Sequence, residues 1–263
     1  MLIREWLISS GLPREDAELI LAHALKKDRP FLVTHDFEKI ESHALKSANF
    51  FKKQRLSGLP LAYILKSKNF YGRDFYVDRR VLIPRPESET IIDLAKQGTY
   101  KNILDLGTGS GCLAITLKLE LKDATVTASD LSNSALNVAR KNAKNLKANV
   151  KFVHSDLLDY FLKHRQKFDL IVSNLPYVDK NWDWHDLNSL KHEPALALFS
   201  ERGTALQSQF ISVILKNRQT LLAENFTILL ESDPTTHLEL IDLIKKADPS
   251  RKIETTGFIL KVS

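Results

Sequence analysis

Ile103-Leu104-Asp105-Leu106-Gly107-Thr108-Gly109-Ser110-Gly111-Cys112 is the stretch on which the fold turns. An apolar strand runs into three glycines at alternate positions, and a helical pattern opens at once from Cys112. Glycine has no Cβ, so the backbone there can turn tightly and let a ligand approach closely. Outward from this loop, strand and helix patterns alternate. Apolar strand segments fall at 102–106, 125–129, 150–154, 170–173, 227–231 and 257–262. Helical patterns lie between and after them at 112–121, 133–148, 157–164, 203–223 and 236–247. This alternation predicts an α/β fold: a doubly wound, Rossmann-like parallel sheet with helices on both faces.

Upstream the pattern differs. Ala17, Leu21, Ala24 and Leu25 share one face at helical spacing, with Pro13 at the start and acids in the first turn. A second helical stretch covers 39–56 and ends at Ser57-Gly58. Residues 1–68 are therefore expected to form a small helical bundle. The run Asn69-Phe70-Tyr71-Gly72-Arg73-Asp74-Phe75-Tyr76-Val77-Asp78 is aromatic and β-branched, with turn residues at Gly72 and Asp78-Arg79. It predicts a linking β-hairpin over 69–84. A helix over 87–97 then opens the α/β domain, which is expected to occupy 85–263.

Composition narrows the function classes. At 263 residues, 43% hydrophobic and 27% charged, the chain has the balance of an ordinary globular protein. One cysteine, Cys112, excludes an internal disulfide and a multi-cysteine zinc site, so no metal and a reducing compartment are expected. The start, Met1-Leu2-Ile3-Arg4-Glu5-Trp6, lacks the apolar core of a signal peptide. No run approaches the ~20 apolar residues that span a bilayer. A cytoplasmic monomer with no membrane association is the expectation. Lysine plus arginine outnumber aspartate plus glutamate by 38 to 32, a modest +6. That excess would favour residence near RNA or a ribosome, and equally describes a solvated basic surface. Nucleic-acid contact is the weaker expectation and stays open.

The loop spacing discriminates among nucleotide ligands. Dinucleotide enzymes use G-x-G-x-x-G to seat a pyrophosphate on a helix N-terminus. Here the pattern is D-x-G-x-G-x-G, with Asp105 two residues before Gly107. It resembles the first motif of class I methyltransferases, whose ligand, S-adenosyl-L-methionine, carries a cationic amino group and a sulfonium but no phosphate. An acid there suits a cation and repels a pyrophosphate. Asp105, Gly107, Thr108, Gly109, Ser110 and Gly111 are thus candidate cofactor contacts. Asp130 ends the next strand, 19 residues after Gly111, where a carboxylate can accept hydrogen bonds from ribose hydroxyls. Ser155-Asp156-Leu157 follows the third strand, where this class holds the adenine, so Asp156 and Leu157 join the candidates. A helix cap is the rival reading for Asp130 (helix from Ser132) and for Asp156 (helix from Leu157).

Phe168-Asp169-Leu170-Ile171-Val172-Ser173-Asn174-Leu175-Pro176-Tyr177 places Asn-Leu-Pro-Tyr directly after the fourth strand. Ligands of α/β sheets bind beyond the carboxyl ends of strands, so topology alone sets this motif beside the glycine loop. An amide nitrogen is a poor nucleophile because its lone pair is delocalised into the carbonyl. It becomes competent when both N–H groups donate to fixed acceptors and the nitrogen is held in line with the methyl. The Asn174 side-chain oxygen and the Leu175 carbonyl can be those acceptors, and Pro176 restricts the residue before it. The Tyr177 ring can stack on a planar acceptor. Positioning would carry most of the catalysis, with no strong base. A plain strand-ending turn is the rival reading.

Further residues bring a family into view. Gly58-Leu59-Pro60-Leu61-Ala62-Tyr63-Ile64, Phe70-Tyr71-Gly72 and Phe75-Tyr76-Val77 resemble segments of the release factor glutamine methyltransferases (the HemK/PrmC family). So do Val81-Leu82-Ile83-Pro84-Arg85-Pro86-Glu87-Ser88-Glu89 and His192-Glu193-Pro194-Ala195-Leu196-Ala197-Leu198-Phe199. Of these, the R-P-E-S/T-E segment is the most specific. The resemblance implies a seven-stranded methyltransferase sheet and a substrate-recognition role for the N-terminal bundle. It implies methyl transfer from S-adenosyl-L-methionine to the glutamine amide nitrogen of the Gly-Gly-Gln loop of peptide chain release factors, leaving S-adenosyl-L-homocysteine. It also implies Asn174, Pro176 and Tyr177 as catalytic residues, with Asn174 touching the cofactor as well. Arg85 and Glu87 would line the acceptor channel; as a plain reading they open a helix, with Pro86 in its first turn.

Two features depart from the family. Leu175 stands where Asn-Pro-Pro-Tyr is usual, and Glu231-Ser232-Asp233-Pro234 replaces E-x-G-x-x-Q. Asn-Leu-Pro-Tyr occurs in rRNA adenine dimethyltransferases. A ribosomal-protein glutamine methyltransferase and a nucleic-acid adenine N6-methyltransferase are therefore the alternatives.

Overall fold

The computed structural model describes residues 1–179, 190–200 and 204–263. They form two compact units, one of residues 1–67 with 190–192, the other of residues 68–179, 193–200 and 204–263.

In the first unit five helices, α1 (Ile3–Ser9), α2 (Arg14–Leu25), α3 (Arg29–Thr34), α4 (Ser42–Leu56) and α5 (Leu61–Leu65), enclose Trp6, Ile20, Leu21 and Leu32. Trp6 Nε1 donates to Asn49 Oδ1 at 2.9 Å, so the buried indole keeps its hydrogen bond. Helix α4 starts at Ser42, not at 39, because Lys39 bridges Leu2 in extended backbone. The short helices α1, α3 and α5 span at most seven residues, too few to display a periodic apolar face.

The second unit opens with a hairpin of β1 (Lys68–Phe70) and β2 (Arg73–Phe75), joined through Tyr71-Gly72, both at positive φ. That conformation matches the twist of a tight hairpin. Pairing stops at Phe75, short of the expected 69–84. The reason is local: Asn142 accepts from the Tyr76 N–H (2.8 Å) and donates to the Tyr76 carbonyl (2.9 Å). A side chain, not a strand, satisfies the backbone there, and residues 76–85 run on as a strap outside the strands. A 3₁₀ turn, Pro86–Ser88, then leads into α6 (Glu89–Ala95).

The main sheet contains β3 (Asn102–Leu106), β4 (Thr125–Asp130), β5 (Lys151–His154), β6 (Phe168–Ser173), β9 (Leu222–Glu231), β10 (Ile253–Thr256) and β11 (Ile259–Val262). Their order is β10-β11-β9-β6-β3-β4-β5, with β11 antiparallel to both of its neighbours, β10 and β9, and the other pairs parallel. A separate pair joins β7 (Val178–Asp179) to β8 (Phe199–Ser200). Helices α7 (Cys112–Glu120), α8 (Asn133–Asn145), α9 (Asp159–His164), α10 (Ala195–Leu198), α11 (Ala205–Lys216), α12 (Arg218–Leu221) and α13 (His237–Ala247) complete it. Neighbours in β3 face opposite ways: Leu104 joins a core with Phe161, Phe168 and Phe210, and Ile103 one with Ile91, Leu117 and Val126. Burial on both faces explains the near-continuous apolar strands.

The seventh strand, β10, was invisible as an apolar segment because it is a polar edge: Ile253-Glu254-Thr255-Thr256, largely exposed. The helix expected over 203–223 is interrupted. Asn217 donates from its side chain to the Val213 carbonyl and ends α11, and Leu222 already pairs with Phe168 in the sheet. Ala223 is therefore strand; Gly203 lies outside the described residues. The helix expected from 157 begins at Asp159, because Leu157 sits at φ 39.

Gly111, at φ 83, opens α7; a Cβ there would lie 3.1 Å from Ala139 Cβ and 3.3 Å from Ala139 Cα. Gly111→Ala should destabilise the fold by about 1–3 kcal/mol, through left-handed backbone strain plus this contact. Urea denaturation reads it, and a wild-type midpoint would refute the close approach.

Candidate active site

In the parallel pair β3–β6, Leu106 is in register with Ser173, and the Ser173 hydroxyl donates to the Leu106 carbonyl at 2.8 Å. The residues that follow, Gly107 and Asn174, therefore emerge side by side at the carboxyl edge of the sheet. This is also the switch point, since β4 lies on one side of β3 and β6 on the other. A cavity of about 440 Å³ opens there. Gly107, Thr108, Gly109 and Ser110 line it, together with Asp130, Asp156, Leu157, Asn174, Leu175, Pro176 and Arg85.

The glycine loop is held by two carboxylates. Asp105 is fully buried; its Oδ2 accepts from Thr108 Oγ1 (2.7 Å) and the Ala114 N–H (3.1 Å). It is not part of the cavity wall, so its place is behind the loop. Asp130 accepts from the Gly109 N–H (2.9 Å) through one oxygen and from the Ser132 N–H (2.8 Å) through the other. The cap of α8 is Ser132, not Asp130: its hydroxyl accepts from the Ala135 N–H. Burial raises the Asp130 pKa, and the two N–H bonds oppose that rise. Asp156 is exposed in the cavity wall, and α9 has no side-chain cap. Among the three loop glycines, only Gly109 has none of the described residues within 4 Å of its missing Cβ. Gly107 is close to Leu175 and Gly111 to Ala139. Gly109 is thus the position where a ligand can come closest to the backbone.

The strand-end motif is pinned from below. Asn174 Nδ2 donates to Ser88 Oγ at 3.1 Å, Ser88 Oγ donates to Glu231 Oε2, and the Tyr177 hydroxyl donates to Glu231 Oε1 at 3.3 Å. Glu231 is 1% exposed and ends β9, the strand beside β6. Burial raises its pKa and also raises that of Tyr177, whose phenol the nearby carboxylate holds protonated. Leu175 is buried with its side chain in the core, so it adds no group to the cavity beyond hydrocarbon. Tyr177 is absent from the cavity wall, with its hydroxyl turned to Glu231.

Arg85 lines the cavity, and its guanidinium pairs with Glu193 at 2.6 Å. Glu193 also accepts from the Ile83 N–H at 2.9 Å, tying the strap to the segment before α10. Glu87 is exposed and does not line the cavity; Ser88 does. The plain reading of Pro86 and Glu87 as a helical first turn describes Glu87. Sequence reasoning missed Ser88, Asn142, Glu193 and Glu231 as site-forming residues. A polar residue closing an apolar strand was the available signal for Glu231, and Glu193 stood inside the resemblance segment without a role.

A doubly wound seven-stranded sheet with this loop at its switch point defines a methyltransferase fold. The same fold occurs in a 16S rRNA methyltransferase of T. thermophilus solved with AdoMet and guanosine: TM-score 0.56, 18% identity, covering 75% of this chain and 49% of that one. The Methyltransferase small domain family matches residues 87–204, and the PrmC N-terminal domain matches residues 5–65. The release factor glutamine methyltransferase of Neisseria gonorrhoeae is 42% identical over 201 residues, 75% of this chain and 73% of that protein. The enzyme of the same name from Bacillus cereus is 38% identical over 202 residues, 73% and 71%. The chain belongs to the release factor glutamine methyltransferase family. It is an enzyme of the methyltransferase class.

Burial lifts the Asp105 carboxyl from its ordinary 3.8 to about 7. Between these values the folded protein holds a proton that the unfolded chain has lost. The Asp105 contribution to stability is therefore full below about pH 4 and disappears as pH rises to about 7. Asp105→Asn should abolish this slope, so wild type loses stability relative to the variant from pH 4 to pH 7 in urea denaturation without ligand. Parallel pH curves would count against a buried, protonated carboxyl.

Proposed function

We propose that this enzyme transfers a methyl group from S-adenosyl-L-methionine to the side-chain amide nitrogen of the glutamine in the Gly-Gly-Gln motif of peptide chain release factors, in the cytoplasm. The observation that carries the reading is the β3–β6 register, which delivers Gly107 and Asn174 into one cavity.

The cavity fits the cofactor by its chemistry. Around the glycine loop it offers two carboxylates, Asp130 and Asp156, and the apolar Leu131 and Leu157. This set suits a ribose, an adenine and a cationic amino acid, and its two carboxylates disfavour a pyrophosphate beside the loop. Gly109 leaves the backbone open to close approach. In this assignment Gly107, Thr108, Gly109 and Ser110 form the cradle, with Gly111 turning the chain into α7 behind them, Asp130 binds the ribose, and Asp156 with Leu157 borders the adenine. When bound, the cofactor supplies an electrophilic methyl on a sulfonium.

The chain's own part is to hold the acceptor nitrogen. Because Asn174 Nδ2 is engaged by Ser88, the amide oxygen of Asn174 remains to accept one N–H of the glutamine. The Leu175 carbonyl accepts the other, with Pro176 restricting its direction. Two fixed acceptors draw electron density onto the nitrogen and align it, and the proton leaves to water after transfer. Arg85, fixed by Glu193, borders the channel through which the loop enters. The buried Leu175 side chain leaves the acceptor choice to backbone and Asn174, so Leu175 does not favour adenine over glutamine.

Labelled methyl should pass to purified release factor, not to its Gln→Ala variant and not to rRNA. Label on rRNA alone, or on a ribosomal protein alone, overturns the proposal. Asn174→Ala should cut turnover by about 100-fold or more while cofactor binding persists. Near-normal turnover would remove Asn174 from the acceptor site.

A further inference from the structure

Glu231 carries a role that neither the glycine loop nor the strand-end motif accounts for. A side-chain amide has two faces, oxygen and NH₂, almost identical in shape and opposite in hydrogen bonding. Asn174 serves an N–H acceptor site only if its oxygen points into the cavity. Nothing intrinsic to asparagine prevents the flipped arrangement, in which NH₂ would confront the NH₂ of the substrate.

The chain beneath Asn174 removes the choice. Glu231 is buried at the end of β9, and its two oxygens take the hydroxyl protons of Ser88 and Tyr177. With its one proton committed to Glu231, Ser88 Oγ can only accept on its remaining side. The group it accepts from is Asn174 Nδ2, at 3.1 Å. Gln207 Nε2 donates to the Glu231 backbone carbonyl at 2.7 Å and steadies the strand end. The direction of every hydrogen bond in the relay follows from one acceptor-only group at its base.

We propose that Glu231 is a positioning residue that, through Ser88, fixes which face of the Asn174 amide meets the substrate nitrogen. This rests on the acceptor assignment above and deepens it. A glutamine at 231 keeps the shape but can donate to Ser88. Ser88 is then free to turn its hydroxyl toward Asn174, and the flipped amide becomes populated. Burial pushes the Glu231 carboxyl upward while Ser88, Tyr177 and Asn174 pull it down and Glu87 adds to the rise, so protonation at low pH would act in the same sense as the glutamine.

The test is a double-mutant cycle on the full chain, with labelled methyl transfer to purified release factor. Glu231→Gln and Ser88→Ala should each lower kcat about 10- to 100-fold, with cofactor affinity close to wild type. The double variant should be no slower than the worse single one, because both act through one amide. Glu231→Asp, which remains acceptor-only, should recover part of the loss. Wild-type kcat in Glu231→Gln, or losses that multiply in the double variant, would overturn the positioning role. A rise confined to the cofactor KM would overturn it too. Should the wild-type enzyme itself fail on release factor, the acceptor assignment falls first. The relay is then read by melting: if Glu231→Gln and Ser88→Ala destabilise additively, the relay is refuted independently.

Discussion

The parallel pairing of β3 with β6 is the constraint on which this molecule's chemistry depends. The register Leu106 to Ser173, reinforced by the Ser173 hydroxyl on the Leu106 carbonyl, leaves no freedom in where the two strands end. A shift of one residue would send Asn174 to the other face of the sheet. The central strands are buried on both faces, so such a slip would also expose apolar side chains to water. Site geometry is thus inherited from core packing.

A second theme is how the crevice loops satisfy their backbone. Beyond the strand ends there is no ladder to accept N–H groups or donate to carbonyls, and unsatisfied buried groups cost about 1–3 kcal/mol each. Four polar side chains take over. Asp105 and Asp130 hold the glycine loop, Asn142 holds Tyr76 and the Ser110 carbonyl, and Glu193 holds Ile83 with Arg85. Each bond is local, and together they hold the crevice loops in place. Rigidity matters here because positioning, not acid–base strength, carries the reaction in the proposed mechanism.

This division explains what was legible in the chain and what was not. The apolar strands and the glycine spacing follow from burial on two faces and from the need for positive φ, both local consequences of residue type. Polar edge strand β10 and the short helices of the first unit lacked such a signature. The interruption near Asn217 was hidden because Leu221 and Leu222 continue an apolar pattern that helix and strand share.

By itself the sequence determined the fold class, the family and the two segments that meet at the cavity, since each rests on periodicity or on a contiguous motif. Only tertiary structure decided which residues within those segments face the cavity. It turned Asp105 and Tyr177 away, left Glu87 in solvent, and recruited Ser88, Glu193 and Glu231 from 86, 19 and 57 positions away from Asn174. The physical reason is that a hydrogen bond depends on distance and direction in space, and sequence separation encodes neither for residues brought together across neighbouring strands.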